Sequence, residues 1–133
     1  MFGAFDISTS ALSAQRVRLD TIASNIANVD SVIGPDGKPA PYRRIFPIFQ
    51  AQRTADGGAG VSVKSIEQDQ SPFQKRYEPG SPAADQSGWV SYPNVDLSTE
   101  YVNALETTRA YEANITAVET TKSMMNSTLH LLA

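Results

Sequence analysis

The side chains able to do covalent chemistry are few here, and their spacing isolates them from one another. His130 is the single histidine. A Ser-His-Asp relay would have to use it, yet it stands three residues from the C-terminus, in a helix expected to fray. A cation there suits the negative end of the helix. Cysteine is absent, which excludes disulfides, thiolate metal sites and a cysteine nucleophile. The fourteen carboxylates show no metal-binding order, and Asp56-Gly57-Gly58 lacks the alternating acids of a calcium loop. Gly57, Gly58 and Gly60 precede an expected strand rather than a helix, so they form no phosphate loop. Asn114-Ile115-Thr116 and Asn126-Ser127-Thr128 match the glycosylation acceptor but fall inside an expected helix.

Binding chemistry is equally sparse. Arg43-Arg44 beside Tyr42 reads as a solvated strand edge that discourages edge pairing. The net charge is -3, and no basic stripe of the kind nucleic acid requires is present. Trp89 and Tyr92 flank the start of the last helix, as a packing anchor or as an interface hot spot. The opening Met1-Phe2-Gly3-Ala4-Phe5-Asp6 lacks a basic start, and its apolar run is broken by Asp6, Ser8, Thr9 and Ser10, so no cleaved secretory signal is expected. No stretch approaches the roughly 20 apolar residues of a membrane span.

The elements that hold these residues are set by proline and glycine. All eight prolines lie between Pro35 and Pro93, and seven of the eight glycines between Gly34 and Gly88. That zone cannot be helical. Before it, a helix is expected from about Ile7 to Val29, capped by Asp6 or Ser8. Phe5, Leu12, Leu19 and Ile26 recur every seven residues, with Ile22 and Val29 between them and Gln15 the one polar member. After it, Asp96 caps a helix from Leu97 to Leu132, with Glu100 in its first turn. Leu97, Tyr101, Ala104, Thr108, Tyr111, Ile115, Val118, Lys122, Met125, Leu129 and Leu132 follow a 4-3-4-3 rhythm broken by Thr108 and Lys122.

Between the helices, 30–41 reads as a loop with tight turns. Tyr42 to Gln52 reads as a strand limited to an edge by Pro47. A turn at Asp56 to Gly60, a strand over Val61, Val63 and Ile66, and a third over Phe73 to Tyr77 come next, with 83–88 as loop. The fold class is therefore mainly α with a small β part. Long N- and C-terminal helices pack as an antiparallel, coiled-coil-like pair, with a short β-hairpin or meander and long loops between them. In domain terms, 1–29 and 94–133 form a helical core, and 30–93 is a loop-rich β insert. The longer helix would overhang by roughly 20 Å at 1.5 Å per residue. Its seam closes either as a helix hairpin within the chain or partly on other chains.

Two stretches carry a resemblance to a family. Leu12 to Asn28, reading LSAQRVRLDTIASNIAN, resembles the N-terminal signature of bacterial flagellar rod and hook proteins. Val102-Asn103, then Arg109-Ala110-Tyr111-Glu112-Ala113-Asn114, then Thr121-Lys122-Ser123-Met124 resemble the C-terminal signature, of the proximal rod type. Asn25, Asn28, Arg109, Tyr111 and Asn114 are the marker positions. Many relatives place a Thr-Pro-Gly-Tyr turn almost directly after the Ala-Asn pair. Here Ala27-Asn28 is separated from Pro41-Tyr42 by a longer Gly/Pro loop, itself similar to the proximal rod type.

The resemblance implies a structural subunit of the basal-body rod, with no activity and no cofactor. It implies export through the flagellar type III apparatus without a cleaved signal, and a place in the periplasmic rod. Copies of the chain and axial rod proteins of the FlgB, FlgF and FliE types would be its partners. Nucleic acid, small substrates and direct membrane insertion are not implied. The seam residues Leu12, Leu19, Ile22, Ile26, Val29, Leu97, Tyr101, Tyr111, Ile115, Val118, Met125, Leu129 and Leu132 would then make assembly contacts. A helical adaptor closing as a dimer shares the seams and is the alternative.

Overall fold

A computed structural model describes residues 2–53 and 57–133. Met1 and Asp56, which entered the readings of the N-terminus and of the second turn, lie outside them.

The first helix, α1, spans Phe2–Ala27. It begins five residues before the expected Ile7, so Asp6 and Ser8 lie inside it and cap nothing. It runs through Gly3, a residue that costs a helix interior roughly 0.5–1 kcal/mol relative to alanine. At its far end the Asn28 amide donates to the Ser24 carbonyl at 2.8 Å, and its carbonyl oxygen accepts from the Ser31 hydroxyl at 3.1 Å. Val29 falls in the turn beyond. The expected loop comes next, closed by a bridge between Ile33 and Pro39. Gly37, at φ +76, sits in its turn, a backbone conformation open to glycine without a Cβ penalty.

Strands β1 (Ile45–Arg53) and β2 (Ala59–Gln68) form an antiparallel hairpin, with a register shift between Ile48 and Phe49. Strand β3 (Gln74–Tyr77) pairs with β4 (Trp89–Tyr92) in a second antiparallel sheet. The fourth strand was not expected. Its Trp and Tyr, read as flanking the last helix, are its two ends. The rings of Tyr77 and Trp89 meet edge-on at 5.4 Å. Helix α2 spans Leu97–Leu132, and the Asp96 carboxylate accepts from the amides of Ser98 and Thr99 as its cap. No helix among the described residues is long and apolar enough to cross a membrane.

The helices run antiparallel: Asn25 of α1 meets Glu100 of α2, whereas Arg18 meets Glu106. That register sets the end of α1 beside the start of α2. The ten extra residues of α2 (36 against 26) therefore all lie at its C-terminal end. They measure about 15 Å at 1.5 Å per residue, less than the overhang expected from the sequence because α1 is longer. The hairpin lies along the remaining flank of α1.

The buried apolar residues among those described are few: Ala14, Ile22, Ala83, Val90, Pro93 and Val95. Ala14 and Ile22 serve the helix–hairpin junction. Val90 and Val95 sit in β4 and in the link to α2.

Candidate assembly faces and the polar hub

Where α2 meets α1 its buried residues are polar. Glu100 and Thr107 are both 0% exposed, and Asn103, Ala104, Ala110 and Asn114 are half-buried. Thr107 stays satisfied by donating its hydroxyl to the Asn103 carbonyl at 2.6 Å. Asn114 does the same to Ala110 at 2.8 Å. Small and self-satisfied side chains let the helices approach without stranding a polar group.

The apolar residues of α2 look elsewhere. Leu97, Tyr101, Val102, Leu105, Ile115, Met124, Leu129, Leu131 and Leu132 are all exposed, with Leu129 at 65% and Leu132 at 80%. Tyr111, Val118 and Met125 are half-buried. On α1, Ile22 is buried, while Leu12, Leu19 and Ile26 are half-buried, as is Val29 past the helix end. The rhythm of the sequence therefore marks a row on α2 that the chain itself leaves largely uncovered. The face it does cover is rotated by about one residue. Thr108, read as interrupting the seam, is exposed, and its neighbour Thr107 is the buried threonine.

At the end where the helices start flush, a buried polar hub joins α1, α2, the start of β1, and the segments after β2 and before α2. Asn25 is 1% exposed and uses all its hydrogen-bonding capacity. Its carbonyl oxygen accepts from the Ile45 amide at 2.9 Å and from the Tyr42 hydroxyl at 3.0 Å. Its amide donates to the Ile45 carbonyl at 2.8 Å and to Glu100 at 3.4 Å. The Arg44 guanidinium donates from Nε to the other Glu100 oxygen and lies 3.6 Å from Asp69. Asn94 accepts from the Arg44 amide at 2.8 Å and donates to the carbonyls of Asp69 and Ser71. Arg43 reaches the same two carbonyls at 2.8 and 3.2 Å and stacks over Phe73 at 4.2 Å.

The Arg43-Arg44 pair is thus no solvated edge. Arg44 neutralises a buried carboxylate, and Arg43 staples the end of β2. Nothing local in the sequence announces this, since Glu100 lies 56 positions from Arg44. The proton affinities match the geometry. Hydrogen bonds from the Ser71 hydroxyl and amide, with Arg44 beyond them, hold Asp69 below the ordinary carboxylate range. Burial, and then the Glu100 charge, push the Tyr42 hydroxyl up.

Beside the hub lies an open groove of about 380 Å³, lined among others by Arg18, Asn25, Arg44, Phe46, Phe49 and Asn103. Its lining offers no carboxylate, histidine or cysteine. Among the described residues no three His, Asp or Glu side chains converge to hold a metal ion. Among the marker residues, Asn25 belongs to the hub and Asn28 closes α1. Tyr111 and Asn114 are half-buried, and Arg109 is exposed. His130 is exposed in the last turn of α2.

Two arms of this architecture match families directly. Residues 5–35 match the family described as flagella basal body rod protein. Residues 86–131 match the flagellar basal body rod FlgEFG protein C-terminal family. The flagellar basal-body rod protein FlgC of Salmonella typhimurium is 50% identical over 129 residues, covering 96% of this chain and 94% of the relative. Its counterparts in Bacillus subtilis and Borreliella burgdorferi are 39% and 38% identical, covering 98% and 99% of this chain and 97% of each relative. This chain belongs to the flagellar basal-body rod protein family. As a rod protein it is a structural subunit of the flagellar basal body, and it assembles with other rod components. Membership selects the rod over the closed-dimer adaptor.

Proposed function

We propose that this rod subunit assembles through the apolar surface its own fold leaves open. The observation that carries the reading is the rotation of α2, which turns polar residues toward α1 and apolar ones outward. Leu12, Leu19, Ile26 and Val29 on the α1 side, with Leu97, Tyr101, Tyr111, Ile115, Val118, Met125, Leu129 and Leu132 on the α2 side, form the helix contacts of the rod, while Ile22 is already buried within the subunit and holds α1 to its own hairpin. Burying one such side chain on a neighbour is worth roughly 1.5–3 kcal/mol, and repetition along a helical lattice stiffens the shaft against torque. Residues 1–29 and 94–133 form the inner helical layer lining the export channel. Residues 30–93 form an outer layer in contact with neighbouring subunits.

Its partners on this reading are copies of itself and axial rod proteins of the FlgB, FlgF and FliE types. The chain reaches the periplasmic rod through the flagellar type III export apparatus, without a cleaved signal. It carries no catalytic activity, no cofactor and no small-molecule substrate.

Replacing Ile115 or Leu19 with Asp tests the reading. Each variant is expected to keep the helicity of the free subunit and to abolish rod assembly, as scored by electron microscopy of basal bodies. Normal rods with either variant would remove the basis of the proposal.

A further inference from the structure

Among the described residues, the β1–β2 hairpin touches α1 with side-chain hydrogen bonds at a root and a distal place far apart in sequence. At the root, Asn25 bonds both the amide and the carbonyl of Ile45, at 2.9 and 2.8 Å. The side chain stands in for a neighbouring strand and occupies one residue's full backbone capacity. At the distal end, the Ser10 hydroxyl accepts from the Val61 amide at 3.0 Å while donating to the Ile7 carbonyl at 2.8 Å. The backbone there comes very close: a Cβ on Gly60 would stand 2.8 Å from Ser10 Oγ and 3.3 Å from Ser10 Cβ. Between the two places the linings combine apolar Ala14, Val17, Val63 and Ile66 with Ser13, Thr21, Ser24 and Ser62, none of which is seen to bond across to the other element. Such apolar packing is non-directional and does not by itself resist sliding along the helix. Hydrogen bonds to backbone atoms do, because their geometry fails within fractions of an ångström.

We infer that Ser10 and Asn25 are two positioning residues that pin the β1–β2 hairpin to α1 at fixed axial height and rotation, with Gly60 present to admit the distal pin. The pins are fifteen residues apart on α1, about 22 Å along its axis. Two separated fixed points on one helix define both height and tilt of the hairpin, which one point cannot do. The helix and the insert thereby move as one body. The mechanical consequence rests on the assembly reading above: load taken by the inner helices passes into the outer layer without slip.

The absence of cysteine allows clean spin labelling of the full chain. One label goes on α2 as Glu119→Cys. The other goes on the hairpin, as Arg53→Cys near its tip or Glu67→Cys near its root. Electron–electron distance measurements on the parent should give one narrow distance for each pair. Ser10→Ala, and separately Gly60→Ala, should broaden the tip distance while leaving helicity and the root distance unchanged. Asn25→Leu should broaden the root distance. If Asn25→Leu does not fold, the two distal variants decide the matter. Unchanged narrow distances in Ser10→Ala and Gly60→Ala would overturn the pins. The same variants are then scored for swimming. Broadened distances with loss of swimming support the pins and the assembly reading together. Broadened distances with normal swimming leave the pins standing and overturn their mechanical role.

Discussion

Arg44 and Glu100 form the ion pair on which the residue-scale energetics turn. Glu100 is fully buried, so removing its cation leaves an uncompensated charge. Arg44→Met is expected to cost about 3–5 kcal/mol, and adding Glu100→Leu should recover most of that loss. Urea unfolding of the two variants and the parent measures both. Protonation gives a second check. Asp69 is held low, so its contribution is fully present above its unfolded value of about 3.9 and is lost as pH falls through the folded value. Tyr42 is held high, so its contribution is present below about pH 10 and is lost as pH rises toward its folded value. Stability should therefore show a plateau with both an acid and an alkaline limb, and Asp69→Asn should flatten the acid limb. Little of this was legible in the sequence. Asn25 stood out as a marker without a task. Arg43 and Arg44 looked like surface charge, because a partner 56 positions away leaves no trace in local pattern.

At the scale of elements, α2 was readable from end to end. Asp96 supplies the cap, and no glycine or proline interrupts the 36 residues of the helix. Asp96→Ala should destabilise the subunit by about 0.5–2 kcal/mol, as read from thermal unfolding by circular dichroism. The start of α1 was not readable, because Gly3 and the polar run of Ser8, Thr9 and Ser10 resemble a cap region. Thr9 and Ser10 return their hydroxyls to the Phe5 and Ile7 carbonyls, and Ser10 also accepts from the hairpin, so the polar run stays inside the helix. The strand β4 escaped because it has four residues between Gly88 and Pro93, and its partner β3 is reached only by a turn. Gly88, at φ +82 and in close approach to Tyr77 and Pro79, makes that pairing possible. The phase of α2 teaches more. Hydrophobic rhythm identifies an apolar row, and does not say whether the chain itself covers it. Thr107→Val, on the polar face that is covered within the chain, should change stability little or raise it. Its hydroxyl bonds only within its own helix, so no partner is orphaned. The same unfolding curve checks it.

At the scale of the molecule, the buried apolar set among the described residues, two alanines, two valines, one isoleucine and Pro93, is small for a chain of 133 residues. A domain with so little interior is marginal alone. Contacts between subunits should therefore raise its apparent unfolding midpoint as concentration rises, and calorimetry over a dilution series measures the trend. A midpoint independent of concentration would mean that the exposed row on α2 has no partner in copies of the chain. The whole excess of α2 lies at one end of the subunit. At the other end the helices finish level, beside the hub. The molecule is thus an arrow rather than a dowel. A head-to-tail stack of such arrows has two ends that offer different chemistry to the next arrival.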